Sequence, residues 1–579
     1  MGYEWGVRCD GPMTDSYDAI IIGGGHNGLV CGAYLARAGL KVAVVERAPA
    51  AGGCIASASL PDLPGYTLDI GGLEHGRLWG SRVVAELDLE RQGLDLVTRD
   101  VYAAAVFPAG HAIAISHDLD ATCASIATVS PADAAAYRRF VAAAAGVLDL
   151  LAAAGDGPPP SPLALLRLGR VLPPGTRMDA CLRLFLQSPR AVLDDWFESD
   201  ELKALLGNFA THSQLPPWQS GAGYMPMLMA GAHRGRPARP RGGSGAFVVS
   251  LARALRAAGG DLLTGNGVAR VLVDRGRAMG IRLDDGAELR ATRAVVSAVD
   301  ARRLFLDLMA PDDAPAYLRD EARRIRVGVD NVGEMSMGVA LAGLPDFGPA
   351  LAGPALAASL YLAPTLRAVE DAFLDIARGD LPARPALMWA LPSLTDPSLA
   401  PPGGQTLWIA AFVPWRLRDG RSWDDAREEM ADRLLAALAV QAPGLPSLVR
   451  GRVALSPLDW ARRTGNLVGS ADHVDMTLDQ MLGNRPSPHL AHYRTPIRGL
   501  YLTGAGTHPG GGISGVPARN TARVVLRDVC GVRDAGRGGW EARRVGVRDM
   551  AGRAALAVRG WRELDRLAGA LGMPHGVER

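Results

Sequence analysis

The stretch DAIIIGGGHNGLVCGAYLARAGLKVAVVE, residues 18–46, decides the fold of this chain. Its first apolar run leads into glycines spaced G-x-G-x-x-G, at Gly23, Gly25 and Gly28. In this spacing the first glycine permits a tight turn, the second lets a pyrophosphate approach the backbone, and the third lets the helix pack on the strand. A second apolar run follows the predicted helix and ends in Glu46. The stretch therefore predicts a βαβ unit that binds a dinucleotide.

The ends of this unit indicate how the ligand is held. The helix is predicted to begin near His26, where free N–H groups and the positive end of the helix dipole favour phosphates. His26 itself occupies an x position of the motif. A carboxylate at Glu46 can accept hydrogen bonds from the adenosine ribose and would repel a 2′-phosphate. We therefore expect an unphosphorylated ribose at the end of the second strand.

Glycines elsewhere in the chain favour FAD over NAD. Arg47 and the pair Gly52-Gly53 follow the second strand, and a further glycine pair lets the backbone run beneath a long cofactor. Residues 499–525, GLYLTGAGTHPGGGISGVPARNTARVV, supply another strand, glycine turn and helix. A helix beginning near Gly512 would direct its dipole at the flavin pyrimidine edge, where negative charge develops on reduction. We predict noncovalent FAD, because no residue pattern marks a covalent attachment.

The glycine turns recur at the start, middle and end of a chain of 579 residues, which is too long for one hydrophobic core. Between them, Asp285-Gly286 predicts a hairpin turn between two short strands. We predict an α/β fold, in which a Rossmann-type FAD-binding domain is interleaved with an α+β substrate-binding domain. The predicted parts are an N-terminal extension (1–16), a discontinuous FAD-binding domain (17–115, 240–300 and 491–530), a substrate-binding domain with a helical insertion (116–239 and 301–490), and a C-terminal tail (531–579).

Composition argues against several classes of function. The formal net charge of +2 gives no general attraction to nucleic acid. No apolar run has the roughly 18 residues of a membrane span, and the N-terminus lacks the apolar region of a signal peptide. The six cysteines form no close pairs, which argues against a zinc site or a redox disulfide and is typical of a reducing cytoplasm. We expect a cytoplasmic protein without a metal site.

The C-terminal tail is basic, with ten arginines and six acidic residues between positions 531 and 579. Trp561, Leu564, Leu567 and Leu571 recur at helical spacing. This pattern predicts an amphipathic helix. The helix would pack on its own domain, on a membrane surface or on a second copy of the chain, and the sequence leaves these alternatives open.

Five stretches of sequence, which lie at both ends and in the middle of the chain, resemble a known family. They are GGGHNGLVCGAYLARAG (23–39), ERAPAAGG (46–53), RPRGGSGAFVVSLARAL (239–255), GNLVGSADHVDMTLDQMLGNRP (465–486) and YRTPIRGLYLTGAGTHPGGGISGVPARNTA (493–522). They resemble the phytoene desaturase and carotenoid ketolase group of FAD-dependent oxidoreductases, within the amine-oxidase-like flavoproteins. The group includes related proteins with a pyridine nucleotide-disulfide oxidoreductase domain.

The resemblance implies a set of FAD contacts in this chain. On the nucleotide side it implies Gly23, Gly25, Gly28, Glu46, Arg47 and Gly53, with Val268 beside the adenine. Near the isoalloxazine it implies Gly504, Gly512 and Ile513.

The motifs and the resemblance together predict an enzyme that removes a hydride from an apolar small molecule. Only one G-x-G-x-x-G is convincing, so we expect the substrate, not NAD(P)H, to reduce the flavin, and oxygen or a quinone to accept the electrons. One alternative is a tailoring oxidase for an amine- or peptide-derived metabolite. Amine oxidases of similar fold commonly hold a lysine near the flavin, and here only Lys203 could serve. The other alternative is a family member that binds flavin without catalysis.

His508 and His75 are the candidate catalytic residues, because each follows a glycine turn expected near the flavin. The alternative role for each is structural hydrogen bonding. Asp475 and Gln480 are further candidates. A group of aromatic and thioether side chains suits either a pocket for a long apolar ligand or a buried strand face. These residues are Trp218, Tyr224, Met225, Met227 and Met229.

Overall fold

The computed structural model describes residues 16–75, 81–108, 110–161, 164 and 178–531. The predicted N-terminal extension, apart from its last residue, and the predicted tail, apart from its first, lie outside this part of the chain. Contacts divide the chain into two units, Met1–Val525 and Leu526–Arg579, and only residues 526–531 of the second unit are described. No helix in the described part is long and apolar enough to cross a membrane. The predicted role of the tail therefore stays a prediction.

The described chain contains both strands and α-helices, with runs of consecutive strands and one run of consecutive helices. The strands are β1 (Ser16–Ile22), β2 (Val42–Glu46), β3 (Ser57–Leu60), β4 (Leu63–Asp69), β5 (Leu96–Thr98), β6 (Val101–Val106), β7 (Ala112–Ser116), β8 (Ala238–Pro240), β9 (Asp261–Thr264), β10 (Val268–Asp274), β11 (Arg277–Leu283), β12 (Glu288–Ser297), β13 (Val332–Leu341), β14 (Ser359–Leu362), β15 (Leu387–Ala390), β16 (Gln405–Pro414), β17 (Val449–Leu455) and β18 (Leu500–Leu502). The α-helices are α1 (His26–Arg37), α2 (Arg82–Glu86), α3 (Leu119–Ala127), α4 (Pro131–Gly155), α5 (Met178–Leu186), α6 (Pro189–Trp196), α7 (Asp200–Ala210), α8 (Gly245–Ala257), α9 (Ala301–Leu306), α10 (Ala316–Arg324), α11 (Leu366–Arg378), α12 (Trp423–Ala439), α13 (Leu445–Leu448), α14 (Pro457–Thr464) and α15 (Val516–Cys530).

The first sheet contains the predicted βαβ unit. Its strands run in the order β10-β11-β12-β1-β2-β9, and β18 pairs with β12. The pairs that join β18, β12, β1, β2 and β9 are parallel. Residues 19–22 of β1 and 42–45 of β2 are continuous apolar runs and are all buried, as parallel strands covered on both faces require. The predicted hairpin joins β11 to β12 in antiparallel pairing, and the predicted Rossmann-type fold is confirmed.

The second sheet has the strand order β17-β13-β16-β15-β14-β6-β7, and every pair in it is antiparallel except β14 with β6. One face of β13 carries Met335, Met337 and Val339, which are buried in a hydrophobic core. β6 and β7 belong to this sheet, although the sequence placed them with the FAD-binding domain. Sheet membership thus favours a domain boundary before β6, and the predicted boundaries stay predictions.

The predicted helical insertion comprises α3 to α7, whose apolar faces share one core with β6 and β7. Two local signals start α4. The Ser130 hydroxyl caps the helix by accepting a hydrogen bond from the Asp133 N–H, and Pro131 occupies the first turn, where its missing N–H is not needed. Within the insertion Pro226–His233 forms a 3₁₀-helix, so the strand alternative for the methionine-rich segment is wrong. The prolines and glycines around it favour tight turns over an extended strand.

Candidate active site

The first glycine loop has the shape that a dinucleotide needs. Gly23 has φ +101°, a conformation that side chains other than glycine rarely adopt. A Cβ atom on Gly28 would lie 1.9 Å from the carbonyl oxygen of Gly23, so only glycine lets α1 pack on the loop. A Cβ atom on Gly25, in contrast, would meet no atom within 4 Å. This open space at the N-terminus of α1 fits the pyrophosphate of FAD.

The second glycine pair packs directly against the first loop. The Gly52 N–H donates a hydrogen bond of 3.0 Å to the carbonyl oxygen of Gly24. A Cβ atom on Gly53 would lie 3.4 Å from the Cα atom of Gly25. The two glycine segments, which are separated in the sequence, therefore form one surface, as expected for a backbone that runs beneath an extended cofactor.

The Glu46 carboxylate organises the same loop. One of its oxygens accepts a hydrogen bond of 2.8 Å from the Gly24 N–H, and the other accepts one of 2.8 Å from the Ala48 N–H. A carboxylate has about four lone-pair sites, so both oxygens keep acceptor capacity for ribose hydroxyls. Glu46 thus fits its predicted role, and its two hydrogen bonds also hold the loop.

Arg47 and Val268 lie next to each other beyond the end of β2. Arg47 donates a hydrogen bond to the carbonyl oxygen of Arg462 in α14. Val268 opens β10, and a Cβ atom on the preceding Gly267 would lie 3.0 Å from the Cβ atom of Arg47. The predicted contacts of both residues with FAD stay predictions.

The C-terminal glycine loop reaches the first sheet and a central cavity. Gly504, with φ +102°, lies against the residue that follows β12: its Cβ atom would be 3.3 Å from the carbonyl oxygen of Ala298. Gly512 and Ile513 line the cavity. The helix that follows begins at Val516 and not near Gly512 as predicted. The reason is Gly515, whose φ of +68° is not helical.

Arg485 holds this loop to the segment that precedes it. Its guanidinium is fully buried and donates hydrogen bonds only to backbone carbonyl oxygens. The acceptors are Asp472, Val474, Asp475, Gln480 and Ala505. Burial lowers the pKa of Arg485. A buried cation used in this way is a structural clamp between residues 472–480 and the loop around Ala505.

The cavity has a volume of about 600 Å³, and four parts of the chain contribute most of its walls. These are the glycine segments around Gly72 and Gly512, the face of the second sheet formed by β13, β15 and β16, the helical insertion, and residues 460–476. Most of the lining is apolar. Its larger apolar and aromatic side chains include Tyr102, Phe209, Met225, Leu228, Met388, Trp408, Phe412 and Trp460.

A few ionisable groups also line the cavity. Burial lowers the pKa of His26 to about 4, so its imidazole is neutral at neutral pH. Burial raises the pKa of the Cys54 thiol to about 12, which makes it a poor nucleophile. Burial would also raise the pKa of Glu74, but Arg239 and Arg99 outweigh it and lower this pKa to about 2.

The pKa of Glu334 is shifted in the opposite direction to that of Glu74. Burial, together with the charge of Asp472, raises the pKa of the Glu334 carboxyl to about 7. Asp472 lies against the C-terminal glycine loop: a Cβ atom on Gly511 would be 1.7 Å from its Oδ1. Both acids line the cavity, Glu334 from the second sheet and Asp472 beside the loop that carries Gly512.

The predicted catalytic histidines lie outside the cavity lining. His75 is buried, its Nδ1 is 2.8 Å from the carbonyl oxygen of Leu73, and burial lowers its pKa to about 4. His508 is also buried, with Nε2 2.8 Å from the carbonyl oxygen of Ala154, and burial lowers its pKa. These contacts favour the structural alternative, and a catalytic role for either residue stays a prediction.

The two further candidates are also structural. The Asp475 carboxylate accepts hydrogen bonds of 2.8 and 2.9 Å from the N–H groups of Gly328 and Val329. Gln480 accepts one of 2.7 Å from the Arg326 N–H. Neither residue lines the cavity.

Lys203 pairs with Asp194, with Nζ 3.0 Å from Oδ1, and is not part of the cavity lining. The described cavity therefore offers no lysine of the kind that amine oxidases use. Of the five residues proposed for an apolar pocket, only Met225 lines the cavity. Met227 and Met229 are fully buried in the core of the insertion, Tyr224 stacks on Phe185, and Trp218 packs on Phe373.

Sequence reasoning missed Glu334, Asp472 and Arg485. For Glu334 a signal exists: in VGEMSMGVAL (332–341) alternate positions are apolar, and Glu334 falls on the other face with small residues. For Asp472 and Arg485 we find no such signal, because both lie in irregular chain and act on segments distant in the sequence.

Comparison with known proteins agrees with this geometry. A model named NAD(P)-binding Rossmann-like domain matches residues 21–73, and one named flavin containing amine oxidoreductase matches residues 170–332. The chain is 32% identical to pyridine nucleotide-disulfide oxidoreductase domain-containing protein 2 of Rattus norvegicus, over 90% of this chain and 95% of that protein. It belongs to that protein's family.

More distant members of the superfamily match over similar lengths. A limonene dehydrogenase subunit of Castellaniella defragrans is 27% identical, over 88% of this chain and 95% of that protein. The lycopene-forming phytoene desaturase of a Paracoccus species is 28% identical, over 88% and 97%. A solved putrescine oxidase variant has the same fold, with a TM-score of 0.58 at 18% identity, and covers 89% of this chain and 99% of its own.

These matches confirm the resemblance found in the sequence. The family member described here is an FAD-dependent oxidoreductase. Among the described residues, Cys31, Cys54, Cys123 and Cys530 are free thiols.

Proposed function

We propose that this enzyme dehydrogenates an apolar small molecule that binds in the central cavity. The observation that carries the proposal is the cavity itself: about 600 Å³, mostly apolar, and lined by Gly512 and Ile513, the residues expected near the isoalloxazine. Pockets of this size and character suit a drug-sized apolar ligand. The names of two relatives, a limonene dehydrogenase subunit and a phytoene desaturase, support the same class of substrate.

The residues of the cavity suit this role in two ways. The partly exposed Phe412 and Met388 offer apolar surface, on which a hydrocarbon binds through burial and dispersion and from which water is excluded. The neutral His26 and the protonated Cys54 add no charge that would compete with such a ligand. When bound, FAD supplies the hydride acceptor for the reaction.

We further propose that FAD is held without a covalent bond and that oxygen or a quinone takes the electrons. The proposal about the electron acceptor rests on the number of nucleotide-binding loops. Among the described residues, one loop has the G-x-G-x-x-G geometry, and it fits FAD. A nicotinamide donor would need a phosphate-binding loop of its own.

Anaerobic rapid mixing of the FAD-loaded protein with five compounds tests the proposal. The compounds are limonene, phytoene, putrescine, NADH and NADPH, and the readout is bleaching of the flavin absorbance. We expect limonene or phytoene to bleach the flavin within seconds. Bleaching by NADH or NADPH at micromolar concentration would contradict the proposed direction of electron flow. Bleaching by putrescine alone would identify an amine oxidase instead.

A matched pair of variants locates the reaction in the cavity. Gly231 lines the cavity, and a Cβ atom there would meet nothing within 4 Å, so Gly231→Phe should fill cavity space without a clash. We expect normal FAD content and bleaching by the apolar compound at least about tenfold slower. Gly444 has the same freedom but lies outside the cavity, so Gly444→Phe should react like the parent protein. Equal rates in both variants would contradict binding in this cavity.

A further inference from the structure

Glu334 lies on the cavity face of the second sheet. In β13 it is directly opposite Phe412 of β16, and Ser336 and Gly338 of the same face are opposite Ala410 and Trp408. Phe412, Ala410 and Trp408 all line the cavity, as does Glu334. The register of two long strands, and not a loop, therefore places this carboxyl in a wall that is otherwise aromatic or small.

The carboxyl has no structural task. Among the described residues, none donates a hydrogen bond to Glu334 or forms an ion pair with it. This sets it apart from Glu74, which also lines the cavity but is bound by Arg239. Placing a polar group in an apolar wall without a partner costs free energy, so a packing role does not explain it.

In the described part of the chain, no cation forms an ion pair with Glu334, and the charge that acts on it is that of Asp472. Asp472 faces it from the C-terminal glycine loop side and disfavours its anion, and Cys54 feels the charge of Glu334 in turn. The other ionisable groups of the cavity are His26, Glu74, Tyr102, His212 and Arg234. Arg234 is already paired with Asp149, with Nη1 2.7 Å from Oδ1. The cavity thus holds a carboxyl that can exchange a proton with a bound molecule.

We propose that Glu334 is the proton acceptor of the dehydrogenation, a proposal that rests on the function proposed above. Forming a C=C bond removes two hydrogens from neighbouring carbons of the substrate. One C–H bond breaks with its electron pair, and the hydride passes to FAD, the oxidant. The other C–H bond breaks, its electrons become the new π bond, and its proton forms an O–H bond with the Glu334 carboxylate. Substrate, hydride and proton then balance without a further reagent.

The first half of the test needs no substrate. Infrared difference spectra of the FAD-loaded protein between pH 5 and pH 9 report the C=O stretch of a protonated carboxyl. We expect a carboxyl that titrates near pH 7 in the parent protein and is missing in Glu334→Gln, which keeps the size of the side chain. Glu288→Gln, on the exposed end of β12, is the matched control and should keep the signal. Burial raises the pKa of Asp300 to about 6, so the Asp300 carboxyl contributes equally to both spectra. A titration signal of the same size in Glu334→Gln and in the parent protein would overturn the proposal.

The second half measures the rate of anaerobic flavin bleaching by whichever of limonene or phytoene reduces the parent protein. The carboxylate is the active form, so the rate should rise with pH through the same midpoint and level off above it. Glu334→Gln should be slower by about 10²–10⁴-fold and lose this pH dependence. Glu334→Asp should recover part of the rate. A Gln variant that reacts at the parent rate would overturn the role of Glu334 and leave the proposed function intact.

The failure of the proposed function has a different signature. If putrescine alone bleaches the parent flavin, and Glu334→Gln raises the KM for putrescine without lowering kcat, Glu334 pairs with the ammonium group of a substrate. That result would overturn both the apolar substrate class and the proton-acceptor role. If none of the compounds bleaches the flavin, the apolar substrate class is contradicted, and the proton-acceptor role falls with it, even with the infrared titration intact.

Discussion

The two regions that meet at the cavity serve the cofactor and the substrate in different ways. Around the first sheet the ligand site is backbone: Gly25 leaves open space, and Gly24 and Gly52 bond to each other through main-chain atoms. On the second sheet the site is side chains, such as Trp408, Phe412 and Glu334, presented by strand register. A site built of backbone requires particular glycines, whereas a site built of side chains requires only that certain faces meet.

This difference predicts how each region responds to substitution. The glycine spacing of the first region is fixed by the dinucleotide that the loop binds. The cavity face can change one side chain at a time without disturbing the strand pairs beneath it. We therefore expect substitutions in the first region to affect folding and FAD binding, and substitutions in the second to affect the reaction.

Arg485 is an exception to the rule that the first region is built of backbone, because its side chain holds the C-terminal glycine loop in place. Replacing it by methionine in Arg485→Met removes the hydrogen bonds to five carbonyl oxygens. Two of these oxygens, those of Asp472 and Asp475, keep another donor. We expect an apparent loss of stability of about 3–5 kcal/mol, measured by urea unfolding of the FAD-loaded protein. Arg282→Met removes only an exposed pair with Glu288 and should cost less than about 1 kcal/mol. Equal losses in the two variants would show that the clamp is not needed.

Gly25→Ala and Gly28→Ala test the backbone site itself. A methyl group on Gly25 stands in open space and its φ of −65° suits alanine, so the protein without FAD should keep its melting temperature. The methyl group would occupy the space of the pyrophosphate, and we expect FAD to bind about 100-fold more weakly by fluorescence titration. In Gly28→Ala the new atom collides with Gly23, so stability and FAD binding should both fall. Normal FAD affinity in Gly25→Ala would contradict a pyrophosphate at this position.

The sequence predicted the first region well because its signals are local. The spacing of Gly23, Gly25 and Gly28, and the acid that ends β2, lie within one short stretch. The start of α15 was misplaced because Gly515 interrupts a pattern that otherwise favours a helix from Gly512. Local helix propensity predicts where a helix begins only if no residue nearby has a non-helical backbone conformation.

The second region was predicted poorly because its residues are distant in the sequence. His75 and His508 follow glycine turns, and the sequence does not tell which side of a turn faces a cavity. Both imidazoles instead bond to carbonyl oxygens of the chain. Glu334 and Asp472 become neighbours only when β13 and the C-terminal loop are both folded, and contacts of that kind need the tertiary structure.

Glu46→Arg tests the side chain that serves the backbone site. It removes the acceptor for the Gly24 N–H and introduces a cation where ribose hydroxyls are expected. We expect FAD to bind about 10-fold more weakly in a fluorescence titration, the value of one charge-assisted hydrogen bond. Glu46→Gln keeps one acceptor oxygen and should lie between the two proteins. Unchanged affinity in Glu46→Arg would mean that the ribose lies elsewhere.

The smallest effect concerns Glu334 and reports on the side-chain site without any substrate. Its carboxyl has a folded pKa of about 7, above the ordinary value of 4.5. Between these values the folded protein holds more protons at this position than the unfolded chain, so the free energy of unfolding falls as pH rises through this window. Below the window both states are protonated, and above it both are ionised. In Glu334→Gln the contribution is absent at every pH.

The melting temperature of the parent protein, relative to that of Glu334→Gln, should therefore drop between pH 5 and pH 8, by about 1–3 °C. Differential scanning calorimetry with FAD in constant excess measures this difference, and the excess keeps cofactor binding from shifting the comparison. Glu288→Gln should show no such divergence from the parent, because its carboxylate is exposed and paired with Arg282. A constant difference between the parent and Glu334→Gln at both pH values would mean that the carboxyl is solvated and ionised throughout. The Glu334 carboxyl could not then be an unpartnered proton acceptor in an apolar wall. The second region would then lack the reactive side chain that distinguishes it from the backbone site of the first region.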